Sequence, residues 1–164
     1  MNIFYLDKDT RMAAAYHNDR HCVKMILETA QLLSTAHHVL DGAKAPEGIY
    51  KATHKNHPSA KWVRSGVDQY RWTFDLFGHL IDEYHHRYMK HHACERLIPL
   101  LINNPENIDY DAPWSEPPQC MPDECKVEGN AVEAYRKYYI CSKSHLAKWT
   151  RRKIPSWFEL KGDK

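Results

Sequence analysis

The stretch TRMAAAYHNDRHCVKMILETAQLLSTAHHVL, Thr10–Leu40, decides the fold. It holds no glycine or proline, and its apolar residues recur at steps of three and four. This predicts one long helix, capped by Asp9 or Thr10 and stopped by Asp41-Gly42. One face carries Tyr16, Asp19, Val23, Ile26, Ala30, Leu33 and His37, and a second carries Asn18, Cys22, Met25, Thr29, Leu32 and Ala36. Both are largely apolar, so the helix is expected to be buried on most sides. The remaining stripe is His17, His21, Lys24, Glu28, Gln31 and Thr35. Mixed functional groups on an otherwise buried helix need partners or water inside the fold. Either they satisfy one another in a polar core or they face a ligand or catalytic pocket, and the reading leans to the pocket.

Outward from this helix, Asn2–Leu6 (NIFYL) reads as a short strand or extended segment. A loop rich in Gly, Lys and Pro runs from Ala43 to His57, and Pro58 suits the first turn of a second helix reaching about His92. Gly66 and Gly78 are its weak points and candidate bends. Its core stripe is Val63, Val67, Tyr70, Phe74, Phe77, Ile81, Tyr84 and Tyr88. A shorter helix is expected around Cys94–Ile102. A loop over 103–128 then holds five of the nine prolines, and such a loop, when ordered, is usually a lid or binding element. Asn130 and Glu133 have capping-box spacing at the start of a last helix running to about Trp149, and 150–164 reads as a basic C-terminal tail. The fold class expected is mainly α: a single compact helical domain over 1–164, with long central helices and a short extended N-terminal segment.

The 164 residues suffice for one real core, and 43% hydrophobic with 27% charged residues is ordinary for a globule. The net charge of +2 excludes a histone-like polycation, while twelve His make the charge sensitive to pH near 6. Five Cys, an odd number without a C-x-x-C pair, argue against a disulfide framework or zinc ribbon and for a reducing cytosol. No secretory leader or membrane-spanning run is legible, so a cytoplasmic protein without a membrane partner is expected. No cofactor motif is present.

Three constellations could carry chemistry. Thr53-His54-Lys55-Asn56-His57-Pro58 sits at a loop-to-helix junction with Trp62 and Arg64 just beyond, and a helix N-terminus flanked by such groups can hold phosphate. His17 and His21, at i and i+4, could bind a metal if Glu28 or His54/His57 joined them, or could serve as acid, base or phosphate contact. From Arg136 to Lys153 there are seven Lys/Arg (136, 137, 143, 148, 151, 152, 153) and no acid, with Tyr135, Tyr138, Tyr139, Trp149, Trp157 and Phe158 interleaved or just beyond. Cations contact phosphates and rings stack bases.

With Tyr5-Leu6-Asp7, the His17–Glu28 segment and THKNHP in view, the chain resembles a group of small phage-encoded proteins of no firmly assigned activity. Its layout is also similar to the small phage pyrimidine-dimer DNA glycosylase/AP lyases of the endonuclease V type. That likeness rests on a short extended start, a long first helix with an early acid, a His-Pro lead into a long middle helix, and a Trp/Tyr-rich basic C-terminus. The resemblance implies attack on the sugar C1′ by a free N-terminal amine, helped by a Glu on the first helix. Asp19 stands at that Glu's place and Lys24 near the family's helix arginine, while Asn2 replaces a small second residue.

The function expected is therefore an enzyme on DNA or a nucleotide, in the host cytoplasm if phage-encoded, that cleaves an N-glycosidic bond. Its catalytic group would be Asp19, His17, His21, Lys24 and Glu28, without a metal. The base and its phosphate would be held by His54, Lys55, Asn56, His57, Trp62 and Arg64. The alternatives are a non-catalytic nucleotide- or partner-binding protein, and a metal-dependent helical hydrolase using His17/His21.

Overall fold

The structure, a computed structural model, describes residues 1–158. Its helices are α1 (Thr10–Tyr16), α2 (Asp19–Asp41), α3 (Pro58–Val63), α4 (Val67–Tyr88), α5 (Ile98–Leu101) and α6 (Ala131–Ser142), joined by short 3-10 turns. The fold is mainly α, as expected, with no strand among the described residues. The two long helices α2 and α4 pack on each other at the centre, α1 lies against α4 and α3 against α2. Their shared core contains Ile26, Leu33, Val63, Tyr70, Phe77 and Leu80, all completely or almost completely withdrawn from solvent. No helix among the described residues is long and apolar enough to cross a membrane.

The opening helix is not continuous. His17 leaves helical geometry with ψ 130°, and Asn18 restarts the chain as an N-cap whose side chain accepts from the His21 N–H at 2.9 Å. Asp19 contributes a carboxylate to the new first turn, where the helix dipole favours one. The Asp19 N–H, which the helix leaves unpaired, donates to the Lys148 carbonyl at 2.8 Å. The stripe is thus divided between two elements, with His17 on the junction and the rest on α2.

The predicted second helix also breaks, at the first of its two glycines. Gly66 caps α4, and a Cβ there would lie 2.8 Å from Ala112 Cβ and 2.5 Å from Gln69 Oε1, so the close approach of the 103–128 segment requires glycine. Gly78 lies within an unbroken α4 and marks no bend. The Asp9 cap and the Asn130 cap form as the spacing suggests, their side chains accepting from the Met12 and Glu133 N–H groups.

The Pro-rich segment 103–128 is pinned as a strap. Asp41 accepts the Glu106 and Asn107 N–H groups, Val67 N–H donates to the Asp109 carbonyl, Gln69 donates to the Pro113 carbonyl, and Tyr135 donates to the Pro118 carbonyl. Nor is the region from 148 to 158 a free basic tail. Trp149 is buried with its indole N–H on the Tyr16 carbonyl, and Trp157 packs against Tyr16 and Tyr139. The remainder of the predicted tail, 159–164, lies outside the described residues.

Candidate functional site

The extended N-terminal segment runs along α2 and covers the stripe. Phe4 stacks on His21, with ring centroids 4.2 Å apart and planes 24° apart. Two turns further along α2, the Asn2 N–H donates to Glu28 Oε2 at 3.2 Å and the Met1 α-amine lies 3.9 Å from the same oxygen. The other oxygen, Oε1, is 3.7 Å from Lys24 Nζ. A single carboxylate therefore sits within 4 Å of two primary amines. The Met1 side chain is buried at 3% exposure while the residue as a whole is half-buried, so its exposed part is main chain. Glu28 remains 14% exposed and Lys24 60%, so both can be reached from solvent.

Asn2 holds this end of the chain in place. Its side-chain oxygen accepts from the Ile3 N–H at 2.8 Å and lies 3.0 Å from the Tyr135 hydroxyl, and its amide donates to the Cys120 carbonyl at 3.0 Å. His57 completes the surroundings. Burial first, then the positive Met1 amine, lowers its pKa, so the ring is more readily neutral than an ordinary histidine, although Glu28 pulls the other way. Its Nδ1 accepts from the Ser59 N–H at 3.1 Å, which leaves the imidazole proton on Nε2.

Of the predicted catalytic residues, Lys24 and Glu28 meet here and the other three do not. His17 is fully buried, its Nδ1–H donating to the Ala13 carbonyl at 2.6 Å. Burial pushes its pKa down to about 4. His21 is buried beneath Phe4, and burial, followed by His17 and nearby cations, lowers it to about 3. Tyr139, kept protonated because burial raises its pKa well above the ordinary value, donates to His21 Nδ1 at 2.7 Å. Both histidines are neutral core groups closed off by packing, which corrects the expectation that the whole stripe faces a pocket.

Asp19 is committed to a buried charge network. Its Oδ1 accepts from Arg87 Nη1 at 3.0 Å and from the Thr150 N–H at 2.9 Å, and its Oδ2 from the Thr150 hydroxyl at 2.6 Å. Arg87 turns its Nε to Glu83 Oε1 at 3.1 Å, and Glu83 is closed by Arg152 at 2.7 and 3.0 Å. Burial alone would raise the Glu83 pKa, but the hydrogen bonds and charges of Arg152 and Arg87 outweigh it and hold the carboxyl below the usual range. Both Asp19 oxygens are held by guanidinium, backbone and hydroxyl donors, whereas Glu28 faces two primary amines at 3.9 and 3.7 Å.

The THKNHP segment supplies His57 to the site and exposes His54, Lys55 and Asn56 beside it in sequence. His54 has a left-handed backbone, φ 47°, and its Nδ1 is 2.7 Å from the Thr53 hydroxyl. The anion site expected at the helix start is not built. α3 spans only six residues, Pro58 has no N–H, and the Ser59 N–H is spent on His57. Trp62 is buried, with its indole N–H on the Ser115 carbonyl and hydroxyl, so its ring packs the strap instead of offering a face to a base. Arg64 is half-buried with a buried Nη1 that has no hydrogen-bond partner.

Among the described residues, no group of three or more His, Cys, Asp or Glu side chains is arranged to hold a metal ion, and His17 and His21 are already packed and bonded elsewhere. The site residues expected from sequence do not include Met1, Asn2 or Cys120, although the resemblance implied an N-terminal amine and set Asn2 against a small second residue. No local signal marks them, because they reach Glu28 only through contacts spanning 26 and 118 positions of chain. Compared with known proteins, the chain matches no family model, no curated protein and no solved structure.

Proposed function

We propose that this protein cleaves the N-glycosidic bond of a nucleic-acid base or nucleotide, with Glu28 as its carboxylate and a neighbouring primary amine as its nucleophile. The observation that carries this reading is the juxtaposition of the partly exposed Glu28 with the Met1 α-amine at 3.9 Å and the Lys24 ε-amine at 3.7 Å. An amine is a nucleophile only after losing a proton, and a carboxylate within reach can take it.

The neutral amine attacks C1′ as the C1′–base bond breaks with its electron pair leaving on the base. The proton shed by the amine passes through Glu28 to the departing base. The sugar ring then opens as the C1′–O4′ bond breaks. This gives an imine between C1′ and the amine and a hydroxyl at O4′, and water hydrolyses the imine to regenerate the amine. Lys55 and His54 stand exposed next to His57 in the chain, where they can meet a flanking phosphate.

The test is reductive trapping. DNA bearing uracil, alkylated bases, ultraviolet photoproducts or abasic sites is incubated with the protein and borohydride, and the covalent adduct is mapped by peptide mass. The expected result is an adduct on residue 1 or on Lys24, with Glu28→Gln lowering the trapping rate by roughly 100-fold or more. Absence of both adduct and released base on all four substrates overturns the reading, and so does an undiminished rate in Glu28→Gln.

A further inference from the structure

A second surface shares Lys24 with this site. Between the first turns of α2, the end of α4 and residues 148–150 lies an open recess of about 580 Å³, lined in part by Arg20, Lys24, Tyr88 and Lys148. Val23 and Tyr88 also line a neighbouring recess of about 430 Å³ containing Tyr84 and Lys90, so the two form one groove.

Among the described residues four cations border this groove, and the one carboxylate lining it is Asp19, already engaged by Arg87 and Thr150. Arg20, Lys90 and Lys148 are exposed and make no ion pair among the described residues. The field of the groove is therefore positive and not internally cancelled. Tyr84 and Tyr88, one helical turn apart, are both half-buried and both line the groove, with ring centroids 5.2 Å apart and planes 56° apart. The two rings pack against each other at an angle and both border the groove. Cations that track a backbone, alternating with rings that take successive bases, are the combination that binds unpaired nucleic acid, because a duplex keeps its base faces stacked inside.

We infer that the groove formed by Arg20, Lys24, Tyr84, Tyr88, Lys90 and Lys148 binds an unpaired nucleic-acid strand and leads it to Glu28. Lys24 lines the groove and pairs with Glu28, so it joins the two. The inference deepens the glycosidic reading and rests on it for the location of the scissile sugar, while strand binding is measured without any cleavable base.

The experiment is fluorescence anisotropy with a labelled oligothymidylate, its hairpin duplex counterpart and phosphatidylserine vesicles as competitor, using the full chain and variants. The single strand is expected to bind about ten-fold or more tightly than the duplex, and the vesicles not to compete. Four phosphate contacts predict a log–log salt slope near −3 for a single strand. Lys90→Glu with Lys148→Glu, both exposed positions, should flatten that slope by about half. Tyr88→Ala should weaken binding roughly ten-fold, while Tyr88→Phe keeps most of it. Equal affinity for duplex and single strand, effective competition by the vesicles, or an unchanged slope in the lysine pair overturns the inference even if Tyr88→Ala fails to fold. Borohydride trapping that succeeds while anisotropy fails removes the groove alone. Strand binding that persists without trapping supports the groove and removes the amine chemistry.

Discussion

At the scale of single residues, the two buried histidines tie stability to pH. His17 and His21 have pKa values lowered by burial to about 4 and about 3, from 6.5 in an open chain. The unfolded protein therefore takes up protons that the folded one refuses, and it does so below pH 6.5. Their contribution is complete above that value and is lost as pH falls towards the two folded values. Each such histidine should remove about 1.4 kcal/mol of stability per pH unit across that window. Urea unfolding of the protein between pH 7 and 5 should show a steep decline, and His21→Gln should flatten it. An unfolding free energy that stays level from pH 7 to 5 would show that the two rings are not buried neutral in solution. His17, His21, Lys24 and Glu28 were all legible as a row of unusual side chains, because a helix repeats its faces whatever lies opposite. Which of them meets solvent depends on what covers the row. Here Phe4 stacks on His21, while Glu28 is met by the Met1 amine and the Asn2 N–H and stays partly open.

At the scale of elements, the break between α1 and α2 shows where pattern reading stops. Apolar spacing continues through His17 and Asn18 as though one helix ran on, since Ala13, Ala14, Cys22 and Ile26 are all buried and keep a helical rhythm. The interruption is encoded instead in capping chemistry, an Asn followed by an Asp, and is completed by Lys148 from the far end of the chain. Asn18→Ala removes the side chain that accepts the His21 N–H and should cost about 1 kcal/mol, with Asn18→Asp or Asn18→Ser restoring most of it. Thermal melts of the three variants check this, and a neutral alanine would mean that the cap contributes nothing. The α3–α4 break was more legible, because Gly66 is a visible interruption, although its reason, the approach of Ala112, lies in a remote segment. The last helix ends at Ser142 and not near Trp149. Beyond it, Trp149 turns inward to the Tyr16 carbonyl.

At the scale of the whole molecule, the charged set Asp19–Arg87–Glu83–Arg152 joins the start of α2, the end of α4 and the C-terminal region. Arg87 and Glu83 are buried, so their charges depend on one another far more than an exposed pair would. Ending the chain after Ala147 takes away Thr150, Arg152 and the buried Trp149 together. It should lower the unfolding free energy by about 4 kcal/mol or more in denaturant titration. Arg152→Met, which removes only a partly exposed partner of Glu83, should lower it by about 1 kcal/mol. Equal and small losses in the two would mean that the set adds no cooperativity. The same arrangement has a consequence for biosynthesis. Because translation proceeds from residue 1 onward, α1, α2 and α4 are all made before the segment that completes their buried charges. A nascent chain still lacking residues 148–152 holds Asp19 and Glu83 short of partners, so its final consolidation waits until that segment has been made. The shortened chain ending at Ala147 is a stand-in for that unfinished intermediate.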